Sequence, residues 1–266
     1  MPERRIDGRR VAWREAGTGA PALLIHCALA HSGAWSGVMA RLSDRLAMRA
    51  VDLPGHGGTD HDPRLGNQDQ AVANALALLE DRPPAHLIGH SFGATVAVRL
   101  AIEAPERVAS LTLVEPVFFA LLAETDPAAY AAETAAAAPA RALMDAADWP
   151  AAATAFLARW GGWGELAAPP PAMVARMPLV ASSNLEIADP ETATLRRDDL
   201  ARVRAPALLI EGAESPPAIA AILDALDDVL PATRRVSIAD AGHMVPVSHP
   251  EPVSGAIRDF LGLDQP

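Results

Sequence analysis

Gly89-His90-Ser91-Phe92-Gly93 is the stretch on which the reading of this chain turns. It closes an apolar run, residues 86–89, and opens an amphipathic one, residues 92–104, so the serine stands at a strand-to-helix junction. Gly-x-Ser-x-Gly in that setting is the sequence form of a nucleophile elbow. The reason is steric: a serine in a strained turn needs close neighbours without side chains, and glycine supplies them. The helix that follows aims its free N–H groups and its dipole at any negative charge developing there.

Outward from the elbow, short apolar runs alternate with longer amphipathic stretches. Residues 22–26, 48–52, 86–89, 110–114, 207–211 and 234–238 read as strands buried on both faces. Residues 32–46, 69–80, 92–104, 217–226 and 250–261 read as helices. At the start, 4–6 and 11–14 flank Asp7-Gly8 as a hairpin. The alternation predicts an α/β fold with a doubly wound, mostly parallel sheet flanked by helices. From about Phe118 to Thr194 no strand pattern is visible. That stretch is rich in alanine, carries Trp149, Trp160 and Trp163, and is broken by Pro127, Pro150, Pro169–Pro171 and Pro178. Three or four short helices are expected, anchored by Met173, Met177 and Leu179. The expected division is a core of residues 1–116 and 195–266 with a helical insertion, 117–194, after the sixth strand.

Composition narrows the chemistry. With 266 residues, 50% of them hydrophobic, the chain suffices for one large domain with an insertion. Its 22 basic residues are all arginine, against 33 acidic ones, for a net charge of −11. Schiff-base chemistry and P-loop phosphate binding both need a lysine that the sequence lacks. The charge opposes nucleic-acid binding through a general basic surface. The one cysteine, Cys27, excludes an internal disulfide and fits a reducing compartment. Neither a secretory leader pattern nor an apolar run near the roughly 20 residues that span a bilayer is visible, so a cytoplasmic protein without membrane contact is expected. No histidine, cysteine or carboxylate set has metal-ligand spacing, and no cofactor is expected. The oligomeric state is left open.

Ser91 needs a base, and His243 is the best candidate. It follows the last strand in Ala241-Gly242-His243-Met244-Val245-Pro246, at the strand end where catalytic groups gather in such sheets. His26, His31, His56 and His90 stand in loops that border the same region, while His61, His86 and His249 read as turn or surface residues.

At this point the chain resembles the α/β-hydrolase superfamily, in its serine-nucleophile branch with a helical cap. His26-Cys27-Ala28, with Trp35 nine residues after His26, resembles the family's oxyanion loop. Asp52-Leu53-Pro54-Gly55-His56-Gly57 resembles its next loop, Gly89–Gly93 its elbow, and Gly242-His243 with Pro246 and Pro250 its histidine loop. The insertion falls where that family carries its cap. Two departures stand out. Cys27 occupies a position where the family usually has glycine; a nucleophilic thiol there has no identifiable base, and a buried cysteine behaves as a small hydrophobe. Ser215 occupies the position of the usual acid, and a hydroxyl cannot hold an imidazolium electrostatically. Glu115, at the end of the strand 110–114 and followed by Pro116, is the first substitute; Glu214 is the second. Asp240 is too close to His243 in sequence to be a first choice.

The resemblance implies a cofactor-independent mechanism. His243 takes the Ser91 proton, Ser91 attacks a carbonyl, and a carboxylate fixes the imidazole. Backbone N–H groups of Phe92 and Ala28 form the oxyanion hole, and His26, Cys27, Trp35, His90, Trp160 and Met244 are pocket candidates. The expected substrate is a small to medium ester, thioester or lactone, in a pocket between sheet and insertion. An anionic group on it would have to be met by arginine, with Arg159 and Arg176 the first places to look. Alternatives are carbon–carbon bond hydrolysis or cofactor-free peroxidase-like chemistry on the same triad, or a non-catalytic ligand-binding protein.

Overall fold

The computed structural model describes residues 1–161, 168–191, 193 and 195–264. Trp163 and the expected boundary at Thr194 lie outside the described residues. Eight strands form one sheet: β1 Glu3–Ile6, β2 Arg9–Ala16, β3 Ala20–Ile25, β4 Leu46–Val51, β5 Ala85–His90, β6 Val108–Val114, β7 Ala207–Gly212 and β8 Thr233–Ile238. Their order across the sheet is β1-β2-β4-β3-β5-β6-β7-β8, with β1 and β2 antiparallel to their neighbours and every other pair parallel. The order of β4, β3 and β5 reverses direction at β3, so the carboxyl ends of β3 and β5 flank the topological switch point where α/β sheets place their sites.

Helices cover both faces. On one side α2 (Asn67–Leu79), α3 (Phe92–Glu103) and α10 (Pro217–Val229) bury one apolar cluster. On the other, α1 (Ser36–Leu42) and α12 (Pro250–Leu261) bury a second, around Trp35, Val38, Leu42 and Ile257. Leu23, Leu24 and Ile25 of β3 are fully buried, alternating between the two clusters. Full burial of such a side chain stabilises by about 1.5–3 kcal/mol, which anchors the loop that leaves β3 for the site.

The expected helix over 32–46 is shorter. A 3-10 turn at Ser32–Trp35 leads into α1, which stops at Leu42, and Leu46 already belongs to β4. Leu42 and Leu46 are four residues apart, so helical periodicity runs through them. Pairing of Leu46 with Ala20 on β3 overrides it. His86, read as a turn or surface residue, is a half-buried position of β5 bonded through Nδ1 to Ser110 Oγ at 2.8 Å.

Between β6 and β7 the described residues form six helices: α4 Phe119–Thr125, α5 Pro127–Asp145, α6 Trp149–Trp160, α7 Pro171–Val174, α8 Met177–Ala188 and α9 Arg197–Leu200. Pro127, Pro150, Pro171 and Pro178 stand in the first turns of α5, α6, α7 and α8, while Pro139 lies within α5; Asp126 and Asp148 cap α5 and α6 through Ala129 and Ala151 N–H. Met144, Met173, Met177 and Val180 form a small core of their own with Leu29. Leu179 is not part of it; it reaches instead toward Gly55, in the loop after β4. The remaining short helix, α11 (Val245–Ser248), follows His243.

Candidate active site

Ser91 sits between β5 and α3 at φ 55°, ψ −120°, a strained backbone for a residue with a side chain. The strain is held by its surroundings. Ser91 N–H donates to Val114 O at 2.9 Å, and Ala94 N–H donates to Ser91 O at 2.9 Å. Gly89 and Gly93 make the close approach feasible: a Cβ on Gly93 would run into the Ile25 and His26 carbonyls, and one on Gly89 into the backbone of Gly93 and Ala94. Gly93→Ala is therefore expected to cost about 3 kcal/mol, because β3 backbone cannot yield as a side chain does. That corresponds to a drop in Tm of roughly 6–12 °C by calorimetry, and a drop under about 2 °C would mean α3 has room to move off β3.

His243 Nε2 lies 3.0 Å from Ser91 Oγ, and its Nδ1 lies 2.9 Å from Glu115 Oε2. All three residues are buried, Glu115 completely. Glu115 follows β6 at φ 51°, and its other oxygen, Oε1, accepts from Gly212 N–H at 2.5 Å and from Ser215 Oγ–H at 2.8 Å. It thus accepts three hydrogen bonds and donates none, as a carboxylate does. Of the two candidate acids, Glu115 is the one that meets His243. Glu214 and Asp240 are exposed, with no described side-chain contact to it. Ser215, at the position where the family pattern has its acid, donates instead to Glu115.

The other candidates divide. Cys27, Ala28 and Met244 wall the space beside Ser91, joined from the insertion by Trp160, whose ring centroid is 4.6 Å from that of His243. Leu29, Phe156, Leu157 and Gly161 complete that wall. The sequence reading missed them, although the four-residue spacing of Phe156 and Trp160 on α6 was a signal for the first. His26, Trp35 and His90 do not line this space; they are buried behind it. His90 Nε2–H donates to His243 O at 2.8 Å and its ring leans on Trp35, so it holds the histidine loop. His26 Nδ1–H donates to Cys27 O at 2.7 Å while Nε2 accepts from Leu53 N–H at 2.9 Å. His56 does the reverse errand: Nδ1–H to Pro54 O at 2.9 Å, Nε2 accepting from Leu29 N–H at 3.2 Å. Together the two rings lace the loop after β3 to the loop after β4, assisted by Asp52, which accepts from Ser32 and Gly58 N–H.

Burial sets the charge of this cluster. It pushes His90 down to about 3 and His56 down to about 4, and holds His26 well below the ordinary histidine range. Neutral rings are what the donor-and-acceptor pattern of His26 and His56 requires. Burial also pushes the Cys27 thiol up to about 12, so it is a protonated, apolar wall residue, 3.9 Å from Met244 Sδ. A reactive thiolate is not formed there.

Phe92 is the first residue of α3, where the helix has no acceptor for its N–H. Ala28 lies in a turn closed by Ala30 N–H to Cys27 O, and no described hydrogen bond engages its own N–H. Both arginines singled out for an anion are otherwise occupied. Arg159 pairs with buried Glu133, and Arg176 Nε donates to Gly55 O at 3.2 Å. Among the described residues no group of three or more histidine, cysteine or carboxylate side chains is placed to hold a metal ion, and no helix is long and apolar enough to cross a membrane.

Comparison with known proteins places the chain in context. The family model of the alpha/beta hydrolase family matches residues 22–256. The pimeloyl-[acyl-carrier protein] methyl ester esterase of Nitrosomonas europaea is 42% identical over 100 residues, a stretch that spans 37% of this chain and 38% of that esterase. A hydrolase from Pseudomonas aeruginosa superposes with a TM-score of 0.72 at 25% identity, over 96% of each chain. The enol-lactonase of Burkholderia xenovorans superposes with a TM-score of 0.73 at 20% identity, over 98% of this chain and all of that one, a likeness of fold.

Proposed function

We propose, from the premise that this chain belongs to the alpha/beta hydrolase family, that it is a serine hydrolase of a small to medium ester, thioester or lactone. The observation that carries the reading is the buried chain of contacts from Ser91 Oγ to His243 to Glu115, at 3.0 and 2.9 Å. Hydrogen-bond reach between nucleophile, base and orienting carboxylate is the arrangement that activates a serine hydroxyl. The names of the esterase and lactonase relatives support the same class of bond.

The proposed steps follow from the geometry. As Ser91 Oγ bonds to the carbonyl carbon, its proton passes to His243 Nε2. The carbonyl electron pair moves onto oxygen, where the N–H groups of Phe92 and Ala28 receive it. Glu115 holds Nδ1–H and the imidazolium. Collapse breaks the bond to the leaving group, which departs with the His243 proton. A water molecule, deprotonated by His243, then attacks the acyl carbon, and Ser91 takes its proton back as the acid leaves. Residues 117–194 act as a cap over the nucleophile, the substrate is a small molecule rather than a nucleic acid or a membrane lipid surface, and the one buried thiol fits the cytoplasm.

A fluorophosphonate probe and p-nitrophenyl esters from acetate to octanoate test this. Ser91 should be labelled in the parent protein, Ser91→Ala should be silent, and ester hydrolysis should depend on Ser91. Absence of labelling under all conditions would sink the reading. Labelling without turnover of any acyl ester would favour carbon–carbon bond hydrolysis instead. A serine at 215 would by itself favour a non-catalytic protein; the contact of Glu115 with His243 supports the catalytic reading over that one.

A further inference from the structure

The space beside Ser91 is about 20 Å³, room for about one water molecule. An ester does not fit. Across Trp160 and Phe156, which belong to both walls, lies a cleft of about 470 Å³ among α5, α6 and α8. That volume falls in the range of roughly 300–1,000 Å³ typical of small-molecule sites. Phe119, Tyr130, Phe156 and Trp160 give it an apolar wall.

Of the two rings that part the spaces, Trp160 is the one against His243, and its holds are weak. Trp160 leans on His243 at 4.6 Å, on Phe119 at 5.9 Å and on Phe156 at 6.4 Å, and the Arg159 guanidinium stands 5.2 Å from its centroid. That guanidinium is paired with Glu133, yet its Nε–H is buried without an acceptor. A donor left unpaired in this way costs free energy until something accepts from it.

Charge tells which ligand suits the cleft. Its wall carries the carboxylates of Glu133, Asp145 and Asp189 against the guanidiniums of Arg141 and Arg159. Arg141 pairs with Asp145 and Arg159 with Glu133, which leaves Asp189 without a cation among the described residues. An anionic ligand therefore meets a negative wall, contrary to the expectation that Arg159 would receive an anion. A neutral group meets no such opposition, and Arg159 Nε–H is a donor still without an acceptor.

We propose that this cleft is the subsite for the body of the substrate, an uncharged, chiefly apolar group bearing a carbonyl or ether oxygen. Its entry swings Trp160 off His243, joins the cleft to Ser91, and gives Arg159 Nε–H an acceptor. The proposal rests on the hydrolase reading for the bond that is cut; the binding itself needs no turnover.

The test uses the Ser91→Ala protein and two eight-carbon probes, 2-octanone and octanoate, in calorimetric titrations. 2-Octanone should bind, octanoate should bind at least about tenfold more weakly, and filling the cleft with Ala137→Trp should weaken 2-octanone by about tenfold or more. Thr134→Trp, on the same helix, serves if Ala137→Trp fails to fold. Tryptophan fluorescence should change on adding 2-octanone, and Trp160→Phe should abolish that change. Octanoate binding as tightly as 2-octanone overturns the uncharged ligand. Affinity indifferent to both tryptophan substitutions overturns the cleft, and a fluorescence change that survives Trp160→Phe overturns the swinging ring. Unlabelled Ser91 with intact 2-octanone binding would sink the hydrolase reading alone; labelled Ser91 without cleft-dependent binding would sink this proposal alone.

Discussion

Glu115→Gln is expected to lower kcat by about ten thousand-fold, the size of effect that follows loss of the orienting carboxylate in a serine triad. The carboxylate accepts from Gly212 N–H, Ser215 Oγ–H and His243 Nδ1–H at once. A carboxamide has one accepting oxygen. If that oxygen stays with Gly212 and Ser215, its NH₂ faces Nδ1 and forces the proton onto Nε2, where the ring no longer accepts from Ser91. If the amide flips, the NH₂ confronts two donors in a fully buried site, at a cost of about 1–3 kcal/mol. Either orientation disables the base or strains the site. Glu214→Gln, at an exposed side chain, should keep turnover within about twofold, since surface changes away from a site are near neutral. Steady-state kinetics on a p-nitrophenyl ester decide it, with circular dichroism to confirm folding. More than a tenth of parental turnover in Glu115→Gln would remove Glu115 from the mechanism.

Acid should unfold the protein early. His26, His56 and His90 are buried and neutral, with His56 at about 4 and His90 at about 3 against an ordinary value of 6.5. The unfolded chain takes up their protons as pH falls through 6.5, whereas in the folded chain His56 does so only near 4 and His90 near 3, with His26 likewise held well below 6.5 by burial. Stability is therefore complete above 6.5 and falls as pH descends from there toward 4. Each such histidine contributes about 1.4 kcal/mol per pH unit in that window, so His56 and His90 together remove about 3 kcal/mol between pH 7.5 and 5.5, and His26 acts in the same direction. Against a total stability of about 5–15 kcal/mol, that is enough to bring unfolding within reach of about pH 5. Urea titrations at pH 7.5 and 5.5 measure it, and an unchanged midpoint would mean the rings are protonated at little cost in the fold. His56→Gln, whose Oε1 still accepts from Leu29 N–H, should flatten the dependence by about a third.

The elbow, the histidine loop and the strand alternation were legible because each is a local pattern whose neighbours in sequence are its neighbours in space. Ser91 and the glycines on either side of it needed no knowledge of distant chain. The candidate acid was legible only as a choice between two residues, because Glu115 and His243 lie 128 positions apart and their meeting depends on how β6, β7 and β8 pair. The same limit explains His26, Trp35 and His90. Their types and positions drew attention to the site, but which atoms their nitrogens reach is decided by a second loop, so three expected pocket residues turned out to be struts behind the pocket. Arg159 was read as free for a ligand; its partner Glu133 sits on another helix of the insertion, 26 residues away. The end of α1 was misjudged for a related reason, since a leucine at helical spacing serves a strand equally well.

The bond between Ser215 and Glu115 bears on descent as well as on chemistry. Position 215, where the family resemblance puts the acid, and Glu115, at the end of β6, are within one hydrogen bond of each other, 2.8 Å. Ser215→Asp in an ancestor of this arrangement, or its reversal, would leave two carboxylates side by side, one of them holding a proton. From such an intermediate either acid can be lost while His243 keeps a carboxylate partner. If Glu115 is the acid of the proposed triad, single substitutions at 115 and 215 would be the steps by which a carboxylate moves from the end of one strand to the end of the other.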